Sequence, residues 1–255
     1  MLKRLTVTSF TFMSWAFSFA QLTESDTLRF GFKASVNGSW ITGNVERLLI
    51  NNNLDISHVG KRIGLKTSNT YTYGTIFKRE TENDFFSRNF VYLNPSKKIY
   101  PYLMVWLQNS KRQQIEFRSQ VGLGFTYSLL HTPQQLLKIS GTISREETRY
   151  NGTNFFITPE NLEINQVKNW RGTLRLLGQH RFANRKLRLS YETWYQPAFD
   201  DHYNWRYFLN AALEFPLAKH FSFRTAIVYS HDNIVLTAIK RDDKFVTFGL
   251  TFGNY

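Results

Sequence analysis

The sequence contains no cysteine, few acidic residues and only one long apolar run. Without cysteine, neither a disulfide scaffold nor a cysteine-ligated metal site can form. The 255 residues include 32 Lys and Arg against 19 Asp and Glu, which gives a formal net charge of +13. Charged residues make up 20% and aromatic residues 16%, a balance that excludes a disordered chain. A mean hydropathy of −0.37 excludes a bundle of membrane-spanning helices.

The single apolar run lies at the N-terminus and predicts an export signal. Residues 1–20 begin with the basic pair Lys3 and Arg4, continue through a charge-free apolar stretch and end in the small-x-small sequence of residues 18–20. This order is typical of a cleaved secretory signal peptide. An uncleaved membrane anchor is the alternative, but the run is short for a spanning helix. The mature chain is then 21–255, a single domain.

The mature chain alternates between apolar and polar residues, as a β-strand with one apolar face does. In residues 28–36, for example, Leu, Phe, Phe, Ala and Val alternate with Arg, Gly, Lys and Ser. Short turns recur near residues 60, 96, 133, 184 and 218, which is the repeat of a hairpin. The predicted strands are 27–41, 45–57, 63–73, 84–93, 99–108, 115–129, 136–149, 167–181, 186–196, 203–215, 221–231 and 244–253.

These features predict an all-β fold, an antiparallel transmembrane β-barrel of about 12 strands in the bacterial outer membrane. The longer connections at 74–83, 150–166 and 232–243 are expected to be extracellular loops, and the short turns periplasmic. Outer-membrane lipid would then surround the barrel. A soluble periplasmic β protein would alternate in the same way. Tyr and Trp near both strand ends and charges in mid-strand favour the membrane, because a wet lumen tolerates such charges.

Two segments resemble the salt-induced outer-membrane barrels, the family called domain of unknown function 481. Val36–Asn44 (VNGSWITGN), followed by the Asn-rich residues 51–53, is similar to the corner between that family's first two strands. Residues 90–102 (FVYLNPSKKIYPY) resemble its second hairpin junction. The resemblance covers most of 28–255 and implies an exported barrel without established catalytic residues. The aromatic C-terminal strand ending at Tyr255 also resembles the strands that the barrel assembly machinery recognises.

Basic residues dominate the polar face of the predicted strands, and we expect this face to line the lumen. Such a lumen would favour small anionic solutes in a narrow pore or a binding barrel. Replacing Arg175 and Arg206 with Glu should reverse any selectivity. The predicted lumen bases are Lys33, Lys66, Arg118, Lys138, Arg171, Arg175, Arg188, Arg206 and Arg224, and the predicted lumen acids are Asp55, Glu116, Glu192 and Glu214.

Other functions remain open beside this hypothesis. A lumen filled by Arg–Glu pairs would not conduct, and the barrel could instead bind a partner through the loop that carries Glu160 and Glu163. An outer-membrane lipid-modifying enzyme is disfavoured, because the adjacent Ser230 and His231 point to opposite faces of a strand. Nucleic-acid binding is also disfavoured, since the basic residues are spread along the chain. We expect no cofactor and no metal.

Overall fold

The computed structural model describes residues 30–43, 46–132, 134–182, 187–218 and 221–252. Side chains are described throughout these ranges except at residues 31–39, 51, 53, 55, 221, 245 and 247–252. The predicted signal peptide, the side chains of Lys33 and Asp55, and the C-terminal residue Tyr255 therefore lie outside the described part. Within it, no helix is long and apolar enough to cross a membrane.

The described chain forms β-strands throughout, joined by turns and loops. Each of the twelve predicted strands overlaps one strand of eleven or more residues. One additional strand, β8, was not predicted; it has two residues and lies within the longest loop. The strands are β1 (Phe30–Ile41), β2 (Arg47–Val59), β3 (Ile63–Ile76), β4 (Arg79–Leu93), β5 (Ile99–Ser110), β6 (Ile115–His131), β7 (Gln135–Tyr150), β8 (Leu162–Glu163), β9 (Gln166–Phe182), β10 (Leu187–Pro197), β11 (Trp205–Ala218), β12 (Phe221–Asp232) and β13 (Asp242–Phe252).

All strands belong to one antiparallel sheet in which neighbours along the chain are neighbours in the sheet. The order runs from β1 to β13, with β7 paired to β9 and the short β8 attached to β9. Antiparallel neighbours need only short connections, so this meander follows from the hairpin repeat of the sequence. Every strand from β2 to β12, apart from β8, is paired on both sides.

The connections divide the molecule into two ends. The short-turn end holds 60–62 and 94–98, and the long-loop end holds 151–161, 198–204 and 233–241. The prediction of a long loop at 74–83 is wrong, because β3 and β4 continue into this segment and leave only a two-residue turn. Phe77 and Lys78 form this turn with φ angles of 48° and 61°. Two successive positive φ angles are the signature of the tight turn that suits a twisted hairpin.

The sheet curls strongly, so that strands distant in the sheet meet through their side chains. Trp106 on β5 packs on Trp194 on β10, with 6.1 Å between ring centroids, although β6, β7 and β9 separate the two strands. Arg112, before β6, pairs with Asp243 on β13 at 2.8 Å. One face of the sheet therefore encloses an interior, and the other face points outward.

The polarity of the two faces is the inverse of a water-soluble sandwich. On β7, Ser140, Ser144 and Glu146 are buried inside, whereas Ile143 between them is 59% exposed on the outside. The neighbouring β6 repeats this arrangement, with Leu123 exposed at 69%. In other proteins, large exposed apolar surfaces mark sites of contact with lipid or another protein, because water solvates them poorly.

Candidate functional site

The polar face of the sheet carries the charged residues into the interior. Strand alternation puts Arg118 of β6, Glu146 of β7 and Arg171 of β9 on this face. Arg206, at the start of β11, reaches the same point from across the interior. Charges this deeply buried are stable only with partners, and the interior supplies them in three tiers, each centred on one glutamate.

The first tier lies nearest the long-loop end and is centred on Glu146. Its carboxylate accepts a hydrogen bond from Arg171 Nε at 2.9 Å and another from Arg206 Nη2. Arg171 also donates to Asn204 Oδ1 at 2.5 Å, and Arg206 to Gln196 Oε1 at 3.0 Å. All five side chains are at least nine-tenths buried. One carboxylate therefore holds two guanidinium groups in fixed positions.

Arg118 extends the first tier towards the long-loop end of the sheet. Its Nε donates to Thr148 Oγ1 at 3.0 Å, and its Nη2 lies 3.4 Å from a carboxylate oxygen of Asp232. Tyr150 accepts a third, longer contact at 3.5 Å. We call Glu146, Arg118, Arg171 and Arg206 the Glu146 cluster, a group in which three cations surround one acid.

The second tier is centred on Glu192 of β10, in the middle of the sheet. Arg175 Nε donates to Glu192 Oε1 at 2.8 Å, and Arg88 Nη1 lies 3.8 Å from the same oxygen. Lys66 of β3 is near enough to act on the glutamate electrostatically. This tier links β3, β4, β9 and β10 across the interior and again places several bases around one acid.

The third tier lies towards the short-turn end and is centred on Glu214. Arg188 and Arg224 are its cross-strand neighbours on β10 and β12, and each has a nitrogen 3.4 Å from a carboxylate oxygen. Near the same end, Lys138 Nζ donates to the Tyr100 hydroxyl at 3.0 Å and lies over the ring of that residue. The bases are thus held at every level of the interior.

The residues of the three tiers include more bases than acids. Among the described side chains, nine bases and four carboxylates take part in the tiers, and Lys33 lies outside the description. Every one of the four acids is in contact with at least one arginine. The bases are Lys66, Arg88, Arg118, Lys138, Arg171, Arg175, Arg188, Arg206 and Arg224, and the acids are Glu146, Glu192, Glu214 and Asp232.

Most of the residues predicted for the lumen lie in this interior, but Glu116 does not. It pairs with Arg149 at 3.5 Å on the outer side, and both side chains are about half exposed. The cause is a bulge in the pairing of β6 with β7 between Ile115 and Phe117. An extra residue on one strand reverses the alternation, so Glu116 leaves the face that Arg118 keeps.

The central acid, Glu146, was missed by the sequence reasoning, as were Arg88 and Asp232. A usable signal existed for Glu146, because it has the same parity as Lys138 along β7 and strand parity alone would have placed it inside. Asp232 ends β12, where parity says little about the direction of a side chain. The contacts of all three depend on strands that are far apart in the sequence.

Two loops pack together over the interior at the long-loop end. Phe155 and Leu236 form an isolated β-bridge, and Phe156 N donates to Val235 O at 2.9 Å. The bridging residues pack with Ile115, Tyr150, Val167 and Ile234 in a buried apolar cluster. We call the segments 151–165 and 233–241 the cap, because they cover the interior above the Glu146 cluster.

The polar groups of the loops make local contacts. Glu160 Oε1 lies 3.3 Å from His202 Nδ1. The hydrogen bond from Lys168 lowers the pKa of the Glu163 carboxyl below its ordinary value. His231 binds Asp242 at 3.0 Å. In the described part of the chain, no three His, Asp or Glu side chains are grouped so that they could hold a metal ion.

Comparison with known proteins identifies a family and a similar fold. A family model described as "Protein of unknown function, DUF481" matches residues 20–253. The solved structure of the NanC porin, in a rhombohedral crystal form, aligns with a TM-score of 0.51 at 10% identity. The alignment covers 87% of this chain and 99% of the porin. No curated protein sequence matches. The structural similarity establishes a porin-like fold.

Proposed function

The chain belongs to the DUF481 family of proteins of unknown function, and we propose that it is an outer-membrane β-barrel whose basic interior binds small anions and lets them pass. The porin-like fold and the curled antiparallel sheet support the barrel. In this proposal β1 and β13 close the sheet, since a spanning sheet must not leave an edge in lipid.

The membrane location is supported by the outward apolar face. Leu123, Ile143 and Leu174 are exposed at 58% or more in the middle of their strands. Trp40 and Trp170 are exposed towards the long-loop end, where an aromatic ring suits the lipid interface.

The export signal at 1–20 and recognition by the assembly machinery remain predictions. A shift in gel mobility on boiling, measured on outer-membrane fractions, tests the folded barrel. Recovery only among soluble periplasmic proteins would contradict it.

The observation that carries the anion hypothesis is the ratio of bases to acids in the interior. Nearly every base has a fixed partner, yet Glu146, Glu192 and Glu214 each contact two bases, so the charge of each carboxylate cannot neutralise both. The low dielectric constant of the protein wall strengthens the resulting field. Rings of fixed arginine and lysine lower the energy of an anion in a narrow passage and raise that of a cation.

Selectivity measured in planar bilayers tests this function. We expect current carried mainly by chloride under a salt gradient. Replacing Arg88 and Arg175 with Gln removes the two guanidinium groups that contact Glu192, so the preference for anions should fall. The control is Arg145→Gln, because Arg145 points outward and its side chain is 43% exposed. Cation selectivity of the unaltered protein, or the absence of any conductance, would refute the proposal.

A second candidate, a barrel that binds a partner through its loops, is favoured by the exposed apolar residues of the cap. Ile164 is 89% exposed and Phe156 57% exposed, whereas Phe155 and Leu162 of the same loop pack inward. Deleting 151–165 would therefore disturb the cap. The sharper test is Ile164→Asp, which should abolish binding to a partner surface or to cells if the loop is the contact. Equal binding by this variant would exclude the loop tip.

A further inference from the structure

A cavity of about 180 Å³ lies between the Glu146 cluster and the cap. Its wall includes Trp106 of β5, Trp194 of β10 and Phe208 of β11, together with Arg206. Part of its roof is apolar and comes from Ile234 and other residues of the cap. The volume is slightly larger than the engineered protein cavity of about 150 Å³ that accepts benzene. A ligand with one six-membered ring and a small substituent therefore matches its size.

The rings of the wall form a continuous series across the interior. Phe86 contacts Trp106 edge-on at 5.9 Å, and Trp106 contacts Trp194 at 6.1 Å. Trp194 then stacks on Phe208 at 5.3 Å with 14° between the ring planes. Aromatic faces and edges bind another flat ring by the same offset or edge-on contacts.

Three buried side-chain nitrogens of residues that line the cavity have no hydrogen-bond partner among the described residues. They are the N–H donors Trp106 Nε1 and Arg206 Nε, and the ring nitrogen His231 Nε2. Trp106 and Arg206 are more than nine-tenths buried, at 7% and 5% exposure. A buried donor without an acceptor destabilises the fold, and native interiors rarely retain one. An oxygen atom held within hydrogen-bond distance of Trp106 Nε1 or Arg206 Nε, negatively charged by preference, would satisfy that donor.

The charged residues of the wall favour a ligand whose oxygen carries a negative charge. The charged residues that line the cavity are the bases Arg88, Arg118, Arg206, Lys240 and Arg241 and the acids Asp232 and Asp243. Arg118 Nη2 lies 3.4 Å from Asp232, and Arg112 pairs with Asp243, so both acids are already engaged. Guanidinium groups bind carboxylates strongly because they offer several N–H donors in one plane.

The apolar roof narrows the choice of ligand further. Ile234, Val235 and Ile239 line the cavity and offer no side-chain hydrogen bonds. Burial of a hydroxyl group against these three side chains alone would be costly, because they offer it no hydrogen bond. An aromatic ring has no such groups and gains from burial there.

From these observations we infer that the cavity binds a small aromatic carboxylate. Its ring would lie against Trp106 and Trp194 beneath the cap, and its carboxylate would accept from Trp106 Nε1 and Arg206 Nε. The inference rests on the proposed anion-favouring interior only in that the ligand must enter an electropositive space.

Calorimetric titration of the full-length protein, folded in detergent micelles, tests the inference with benzoate as the probe. Benzyl alcohol has the same ring without the charge, and it should bind about tenfold more weakly or worse, because hydrogen bonds to charged groups are the stronger ones. Trp106→Phe keeps a ring but removes the N–H donor, and should weaken benzoate by about tenfold. Trp170→Phe is the matched control, since Trp170 lies on the outer face and is 50% exposed.

A variant that fills the cavity distinguishes a loss of binding from a loss of folding. Ser230 lines the cavity on β12, and Ser230→Phe should abolish benzoate binding while the shift in gel mobility on boiling persists. Equal affinity for benzoate and benzyl alcohol, or no effect of Trp106→Phe, would overturn the inference.

The test of the cavity and the test of the proposed function can fail independently. Anion-selective conductance without benzoate binding would overturn the cavity inference alone. Benzoate binding without conductance would overturn the passage of anions and leave the cavity inference standing.

Discussion

Replacing Glu146 with Gln should destabilise the folded protein by about 3–5 kcal/mol, the range for breaking a buried ion pair from one side. The glutamate is the acceptor for both Arg171 and Arg206, and its side chain is 2% exposed. The variant keeps the volume and one acceptor oxygen. It removes the charge and turns an N–H₂ group towards one of the two guanidinium groups.

The size of the effect follows from what remains after the substitution. Arg171 and Arg206 stay buried, with side-chain exposures of 3% and 7%, and Arg118 is the third base around the same point. Their mutual repulsion is no longer offset by a carboxylate between them, and water has little access. The cost is therefore that of uncompensated buried charge, which is larger than that of a lost hydrogen bond.

Unfolding by urea in detergent micelles, followed by tryptophan fluorescence, measures this loss as a shift in midpoint. Glu147→Gln is the matched control, because Glu147 is the next residue on β7 and lies exposed on the outer face. It should change stability by less than about 0.5 kcal/mol. The double variant Glu146→Gln/Arg206→Gln removes one of the stranded cations and should recover part of the loss.

Two results would refute the reasoning. Equal effects of Glu146→Gln and Glu147→Gln would mean that the interior is wet enough to screen the cluster. A double variant that is less stable than Glu146→Gln by the full cost of Arg206→Gln alone would mean that the two residues are not coupled.

Two further predictions concern the wall and the cap. Gly124→Ala should destabilise by about 1–3 kcal/mol in urea unfolding, because a Cβ there would lie 2.7 Å from the Tyr102 ring and 2.5 Å from a backbone oxygen. Gly141→Ala, where a Cβ meets nothing within 4 Å, should be neutral, and equal losses would contradict this packing. Leu236→Asn should loosen the cap and speed trypsin cleavage within 233–241, whereas the exposed Ala238→Asn should leave the rate unchanged. Equal cleavage rates would show that the cap is not held by its apolar cluster.

The strand order could be read from the sequence because a meander needs only local information. Alternation with period two marks each strand, and a short turn joins it to its neighbour in the sheet. The prediction at 74–83 was wrong for a local reason as well. The turn residues are Phe77 and Lys78, and neither is the Gly or Asn that usually signals a tight turn. Both nevertheless adopt positive φ angles.

Parity placed most charges in the interior, and it was wrong where the pairing is irregular. Glu116 follows the alternation of β6 in the sequence, but the bulge beside Ile115 turns it outward. A bulge depends on how two strands align, so one strand alone does not reveal it. Parity could equally have found Glu146, whose importance appears only when its partners are known.

The sequence by itself determined the twelve long strands, their order and, where the pairing is regular, which face of each strand is polar. These properties depend on neighbours within a few residues along the chain. The tertiary structure alone decided that Arg206 of β11 meets Glu146 of β7, that Trp106 meets Trp194, and that two loops cap the space between. Such contacts depend on the curl of the whole sheet, which sums small twists over many strands and brings together residues that no local pattern relates.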